Sequence, residues 1–79
     1  MDAHILAVDD NPEIREIIEI LLTGEGFAVD QAGDGTQALA MLKEKHYDLI
    51  ILDIMMPGMN GYQTCLEIRK LTNAPILLN

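Results

Sequence analysis

The sequence predicts an open α/β fold, a parallel sheet with helices on both faces. Three observations predict it. Short apolar runs alternate with longer amphipathic stretches in the order βαβαβαβ; the first two runs stop at Asp/Asn/Gly clusters of the kind that start helices; and the third run, Leu49-Ile50-Ile51-Leu52, is apolar without alternation, as in a strand covered on both sides. Strands joined by helices of this length take right-handed crossovers, which keeps them parallel.

Residues 4–8 form the first strand, which ends at Asp9-Asp10-Asn11-Pro12, a helix cap followed by a proline suited to the first helical position. In the helix that follows, Ile14, Ile17, Ile18 and Leu21 recur at the spacing of one face, with Arg15, Glu16 and Glu19 opposite, until Thr23-Gly24-Glu25-Gly26 ends the pattern. A second strand is expected over 27–31. Gly33-Asp34-Gly35 then leads into a helix carrying Ala38, Leu39, Met41 and Leu42, closed by Lys43 and Lys45, whose charges suit the helix dipole. Residues 48–53 read as the central strand, 61–71 as a third helix through Cys65, Leu66 and Ile68, and 75–78 as a last strand. No repeat or linker interrupts the pattern, so residues 1–79 are expected to be a single domain.

Hydrophobic residues make up 49% and charged residues 23%, which excludes a disordered tail. The apolar runs are too short to span a bilayer and the acidic start lacks a signal peptide's basic region, so a cytoplasmic protein is expected, with no membrane partner. A net charge of −8 repels a phosphate backbone and argues against direct nucleic-acid binding. Cys65, the one cysteine, reads as a buried thiol, and His4 and His46 as surface imidazoles rather than zinc ligands. Met41 reads as core, and Met55, Met56 and Met59 as fillers of the loop after the third strand.

In open α/β sheets ligands sit beyond the carboxyl ends of the strands. Asp9 and Asp10 follow the first strand and Asp53 ends the third, so if these strands are neighbours three carboxylates crowd one rim. Each aspartate alone has an ordinary use: Asp10 or Asn11 as a helix cap, Asp9 in a turn, Asp53 as a polar strand end. Together they call for a hard cation that takes oxygen ligands, Mg²⁺, which could neutralise phosphoryl oxygens beside a carboxylate nucleophile.

The sequence resembles the receiver domains of two-component response regulators. The resemblance rests on Ile-Leu-Ala-Val-Asp-Asp-Asn-Pro (residues 5–12), on Gly33-Asp34-Gly35, and on Leu-Ile-Ile-Leu-Asp-Ile-Met-Met-Pro-Gly-Met-Asn-Gly (residues 49–61). It implies a flavodoxin-like sheet of strand order 2-1-3-4 and a phosphorelay function in which Asp53 takes a phosphoryl group from a sensor histidine kinase. It further implies Mg²⁺ held by Asp10, Asp53 and the main-chain carbonyl of Met55, with Asp9 acting through water. Pro57 and Gly58 would shape the loop, and Gly61 would start the helix after it. A phosphoacceptor of this kind is expected not to be an enzyme.

By the same resemblance the sequence stops after a fourth strand, at Asn79, without the family's fifth strand and last two helices. The hydroxyl residue after the fourth strand, the fifth-strand lysine and the aromatic switch residue have no counterpart. The run Ile76-Leu77-Leu78 would then be an unguarded sheet edge, and self-association through that strand or through uncovered helix faces is expected.

Three rival readings arise. Gly33-Asp34-Gly35-Thr36-Gln37-Ala38 fits Gly-x-Gly-x-x-Ala, a dinucleotide fingerprint, but puts a carboxylate in the pyrophosphate cradle and leaves Asp9 and Asp10 unexplained. A phosphatase built on Asp53 wants a second aspartate two residues on, where Met55 stands. A signalling-inert interaction module, self-associating or blocking a partner, shares every motif with the receiver reading and differs from it only in chemistry.

Overall fold

Local chemistry sets the boundaries of the elements. The structure, a computed structural model, describes residues 2–56 and 61–78. Within them run β1 (His4–Val8), α1 (Pro12–Gly24), β2 (Ala28–Ala32), α2 (Gly35–Glu44), β3 (Leu49–Leu52), α3 (Gly61–Arg69) and β4 (Ile76–Leu78). Pro57, Gly58 and Met59, to which the sequence gives loop roles, and Asn79 lie outside the described residues.

Asn11 caps α1: its Oδ1 accepts from the N–H groups of Glu13 and Ile14 at 2.9 and 3.4 Å, and Pro12 follows at the first position, where no amide is needed. Past the end of the helix and its cap Glu25 stands Gly26, whose φ of 94° lies in the left-handed region. Gly26 N–H donates to Thr23 O and Phe27 N–H to Leu22 O, the paired bonds that close a helix with a left-handed glycine. Asp34 caps α2 by accepting from Gln37 N–H at 2.7 Å, while the Gln37 side chain reaches back to accept from Gly33 N–H at 2.7 Å. That occupation of the helix start by a carboxylate disposes of the dinucleotide reading.

The strands are parallel in the order β2-β1-β3-β4, as expected, with Val8 beside both Ala32 and Leu52. Four expected elements shift their bounds. The second strand moves one residue on, to 28–32, leaving Phe27 exposed; the central strand shortens from 48–53 to 49–52; the third helix stops at Arg69 instead of 71; and the last strand starts at Ile76.

The continuous core lies between the sheet and α2–α3, built from Leu6, Val8, Ala38, Ile50, Leu52, Met56 and Ile68. Tyr47 joins it and donates its hydroxyl to Asp30 Oδ2 at 2.6 Å, tying the α2–β3 connection to β2; Lys45 pairs with the same oxygen at 3.0 Å. The Tyr47 hydroxyl, then the Lys45 ammonium, hold the Asp30 carboxyl below its ordinary pKa.

Packing corrects several expectations. β1 is buried along both faces from Ile5 to Val8, whereas in β3 only Ile50 and Leu52 are buried and Leu49 and Ile51 are half-buried. On α1 the expected inward residues Ile14, Ile17 and Leu21 are exposed, Leu21 to 64%, and Arg15, Ile18, Glu19 and Leu22 are the partly covered ones. In α3 the buried residues are Gly61, Thr64 and Ile68; Leu66 is exposed, and Cys65 is half-buried rather than a core thiol. His46 is exposed and faces Asp48 Oδ1 at 3.4 Å, while His4 is half-buried. Among the described residues no helix is long and apolar enough to cross a membrane.

Candidate functional site

The register that pairs Val8 with Leu52 brings the next residue of each strand to one level. Asp53 N–H donates to Val8 O at 2.9 Å, and Asp9 N–H donates to Ala32 O at 3.1 Å, so main-chain bonds carry the sheet one residue past each strand. The carboxylates of Asp9, Asp10 and Asp53 each offer an oxygen, and these oxygens lie within 4.8 Å of one another. The three aspartates picked out by the sequence therefore meet at the carboxyl rim of β1 and β3.

Their surroundings differ. Asp9 is buried, at 6% exposure; Asp53 is half-buried and Asp10 exposed. Asp9 Oδ1 accepts from Asn11 N–H at 2.9 Å, and Asp53 Oδ1 from Met55 N–H at 2.9 Å, so each carboxylate is oriented by an amide two residues on. Burial pushes the Asp9 pKa above its ordinary value; the Asn11 amide opposes this, and the negative charges of Asp53 and Asp10 add to it. A buried carboxylate facing two others is electrostatically unsatisfied, and three convergent oxygens suit a hard divalent ion that keeps part of its water shell. Met55 lies beside this group and is 81% exposed, while Met56 turns into the core.

One residue near the rim escaped the sequence reading, which put Arg15 on the solvent face of its helix. Arg15 is partly covered, and its Nη1 donates to the main-chain carbonyl of Asp9 at 2.6 Å. Its Nε donates to Gln31 Oε1 at 3.1 Å, and Gln31 Nε2 in turn donates to Glu19 Oε1 at 3.0 Å. The signal was faint: an arginine one turn after the cap that follows the acidic pair.

A doubly wound α/β domain with an acidic pocket at its rim defines the class. The family described as "Response regulator receiver domain" matches residues 5–78, and the chain belongs to it. It is a receiver of two-component signalling, flavodoxin-like in fold, and it spans about two thirds of the solved receivers it matches. It is 45% identical over 78 residues to the DNA-binding response regulator MtrA of Mycolicibacterium smegmatis, covering 99% of this chain and 34% of that protein. Among solved structures, the response regulator TrrA of Thermotoga maritima, determined in complex with Mg²⁺-BeF, is 45% identical with a TM-score of 0.90, over 96% of this chain and 67% of that one. TrrA in complex with the histidine kinase ThkA is 45% identical with a TM-score of 0.89, over 96% of this chain and 66% of that one. The chain thus spans about a third of the length of the curated relatives it matches.

Membership corrects one expectation, that the chain is not an enzyme. Receiver domains are phosphoacceptors, in which a carboxylate of the domain itself takes part in a group transfer, so a flat exclusion from catalysis is withdrawn.

Proposed function

We propose that residues 1–79 act as one receiver unit in which Asp53 accepts a phosphoryl group from the phosphohistidine of a sensor histidine kinase. The single observation that carries this reading is the convergence of the Asp9, Asp10 and Asp53 oxygens within 4.8 Å at the rim of the sheet. In the transfer, a carboxylate oxygen of Asp53 forms a bond to phosphorus as the phosphorus–nitrogen bond to the imidazole breaks. The electron pair leaves with the imidazole nitrogen. The Met55 amide holds the Asp53 carboxylate in one plane, which limits the directions from which it can attack.

Asp10, Asp53 and the Met55 carbonyl would hold Mg²⁺, with Asp9 contributing through water. The donor set fits such an ion, being all oxygen, crowded and anionic, with the buried Asp9 in need of a counter-charge. When bound, Mg²⁺ supplies charge neutralisation for the phosphoryl oxygens. A histidine kinase partner is supported by the ThkA complex of TrrA, and a cytoplasmic location by the receiver class. The reading includes no direct contact of these residues with nucleic acid or membrane, given the charge of −8.

The test is intact mass after incubation with a small phosphodonor and Mg²⁺. A phosphate-sized increment, lost in Asp53→Asn and on chelation, is expected. No increment in the unaltered chain favours the second reading, an inert module that self-associates or blocks a partner. That reading is motivated by the apolar side chains on the β4 edge, Leu77 at 57% and Leu78 at 45% exposure.

A further inference from the structure

We propose that Arg15 is a positioning residue for the acidic pocket, fixing the Asp9–Asp10 peptide so that both carboxylates meet a divalent cation in register. This rests on the reading of Asp9, Asp10 and Asp53 as the Mg²⁺ pocket. The two aspartates are joined by one peptide plane, and the direction of its carbonyl sets where the following residue, Asp10, projects. That carbonyl accepts from Arg15 Nη1 at 2.6 Å. Asp9 is then held at three points, by Ala32 O at its N–H, by Asn11 N–H at its carboxylate and by Arg15 at its carbonyl. The exposed Asp10 inherits its direction from them.

Arg15 is itself held. Its Nε donates to Gln31 of β2, and Gln31 is held by Glu19, one turn further along α1. The network therefore links the rim to two elements, α1 and β2, through side chains that are all partly covered. None of the ion pairs found among the described residues involves Arg15. Its planar fork serves two neutral oxygens in directions that the flexible, single-headed ammonium of lysine cannot reproduce together.

The test is calorimetric titration of the chain with Mg²⁺, alongside melting in metal-free buffer and phosphorylation by a small phosphodonor across Mg²⁺ concentrations. Arg15→Ala should weaken Mg²⁺ binding about tenfold, the range for residues that orient a metal's ligands. Arg15→Lys should fail to restore it. Gln31→Ala, which keeps Arg15 and its bond to Asp9, should give a smaller loss and guards against a variant that does not fold. In both Arg15 variants the Mg²⁺ concentration for half-maximal phosphorylation should rise while the rate at saturating Mg²⁺ stays within about twofold, a split that general loss of structure would not give. Equal Mg²⁺ affinity in the unaltered chain and in Arg15→Ala or Gln31→Ala overturns the positioning role alone, as does full rescue by lysine. Failure of the unaltered chain to bind Mg²⁺ overturns the pocket reading and this inference with it.

Discussion

At the scale of single residues the site is a contest between burial and charge. Asp9 is buried among like charges, and its pKa is raised, so the folded state holds the proton more tightly than the unfolded chain does. The sign follows: in metal-free buffer the Asp9 contribution to stability falls as pH rises from the ordinary carboxylate range through the raised folded value. Asp9→Asn keeps an oxygen to accept the Asn11 amide and removes the charge. The variant is expected to melt higher than the unaltered chain in metal-free buffer at pH 7, and to lose most of the rise in Tm that Mg²⁺ brings. Thermal melts with and without millimolar Mg²⁺ measure both; a lower metal-free Tm in Asp9→Asn contradicts the account.

At the scale of elements, the first residue of α3 lies close against the residue that follows Asp53. Gly61 N–H donates to Ile54 O at 3.2 Å, and a Cβ at Gly61 would overlap the main chain of Ile54. Ile54 follows Asp53, so any displacement there is felt at the pocket. Gly61→Ala is expected to destabilise the chain by about 1–3 kcal/mol, the usual penalty of overpacking, and to weaken Mg²⁺ binding as well. Denaturant titration of the variant measures the first effect and calorimetry the second. Unchanged stability would mean that the close approach of α3 to Ile54 is not kept in solution.

On the scale of the whole molecule, the two faces of the sheet are unequally covered. The α2–α3 side holds the continuous core, whereas on the other side α1 leaves Ile14, Ile17, Ile20 and Leu21 exposed, and Leu77 of β4 is exposed as well. Scattered apolar residues are ordinary on a surface, but a helix stripe together with exposed apolar residues on an outer strand is not. The 79 residues by themselves are expected to self-associate at micromolar concentration, and Leu77→Lys on the edge strand to weaken that association. Sedimentation of a stable monomer across that range contradicts the expectation.

The sequence by itself determined the order of elements, the parallel sheet and the three aspartates, because those depend on local signals. Apolar runs ending at turn clusters mark strands, Asn11-Pro12 and Asp34 mark helix starts, and a strand-end acid is visible as a letter. It did not determine which side of each helix packs inward. The period of Ile14, Ile17, Ile18 and Leu21 specifies an apolar stripe, but whether anything covers that stripe depends on the other elements, and in the structure Arg15, Ile18, Glu19 and Leu22 are the partly covered residues. For the same reason the roles of Thr64 over Leu66, and of Arg15 at the Asp9 carbonyl, appear only in three dimensions. The distances that make a pocket of Asp9, Asp10 and Asp53 are fixed by the pairing of Val8 with Leu52, residues 44 positions apart in the chain, and only the folded sheet sets that register.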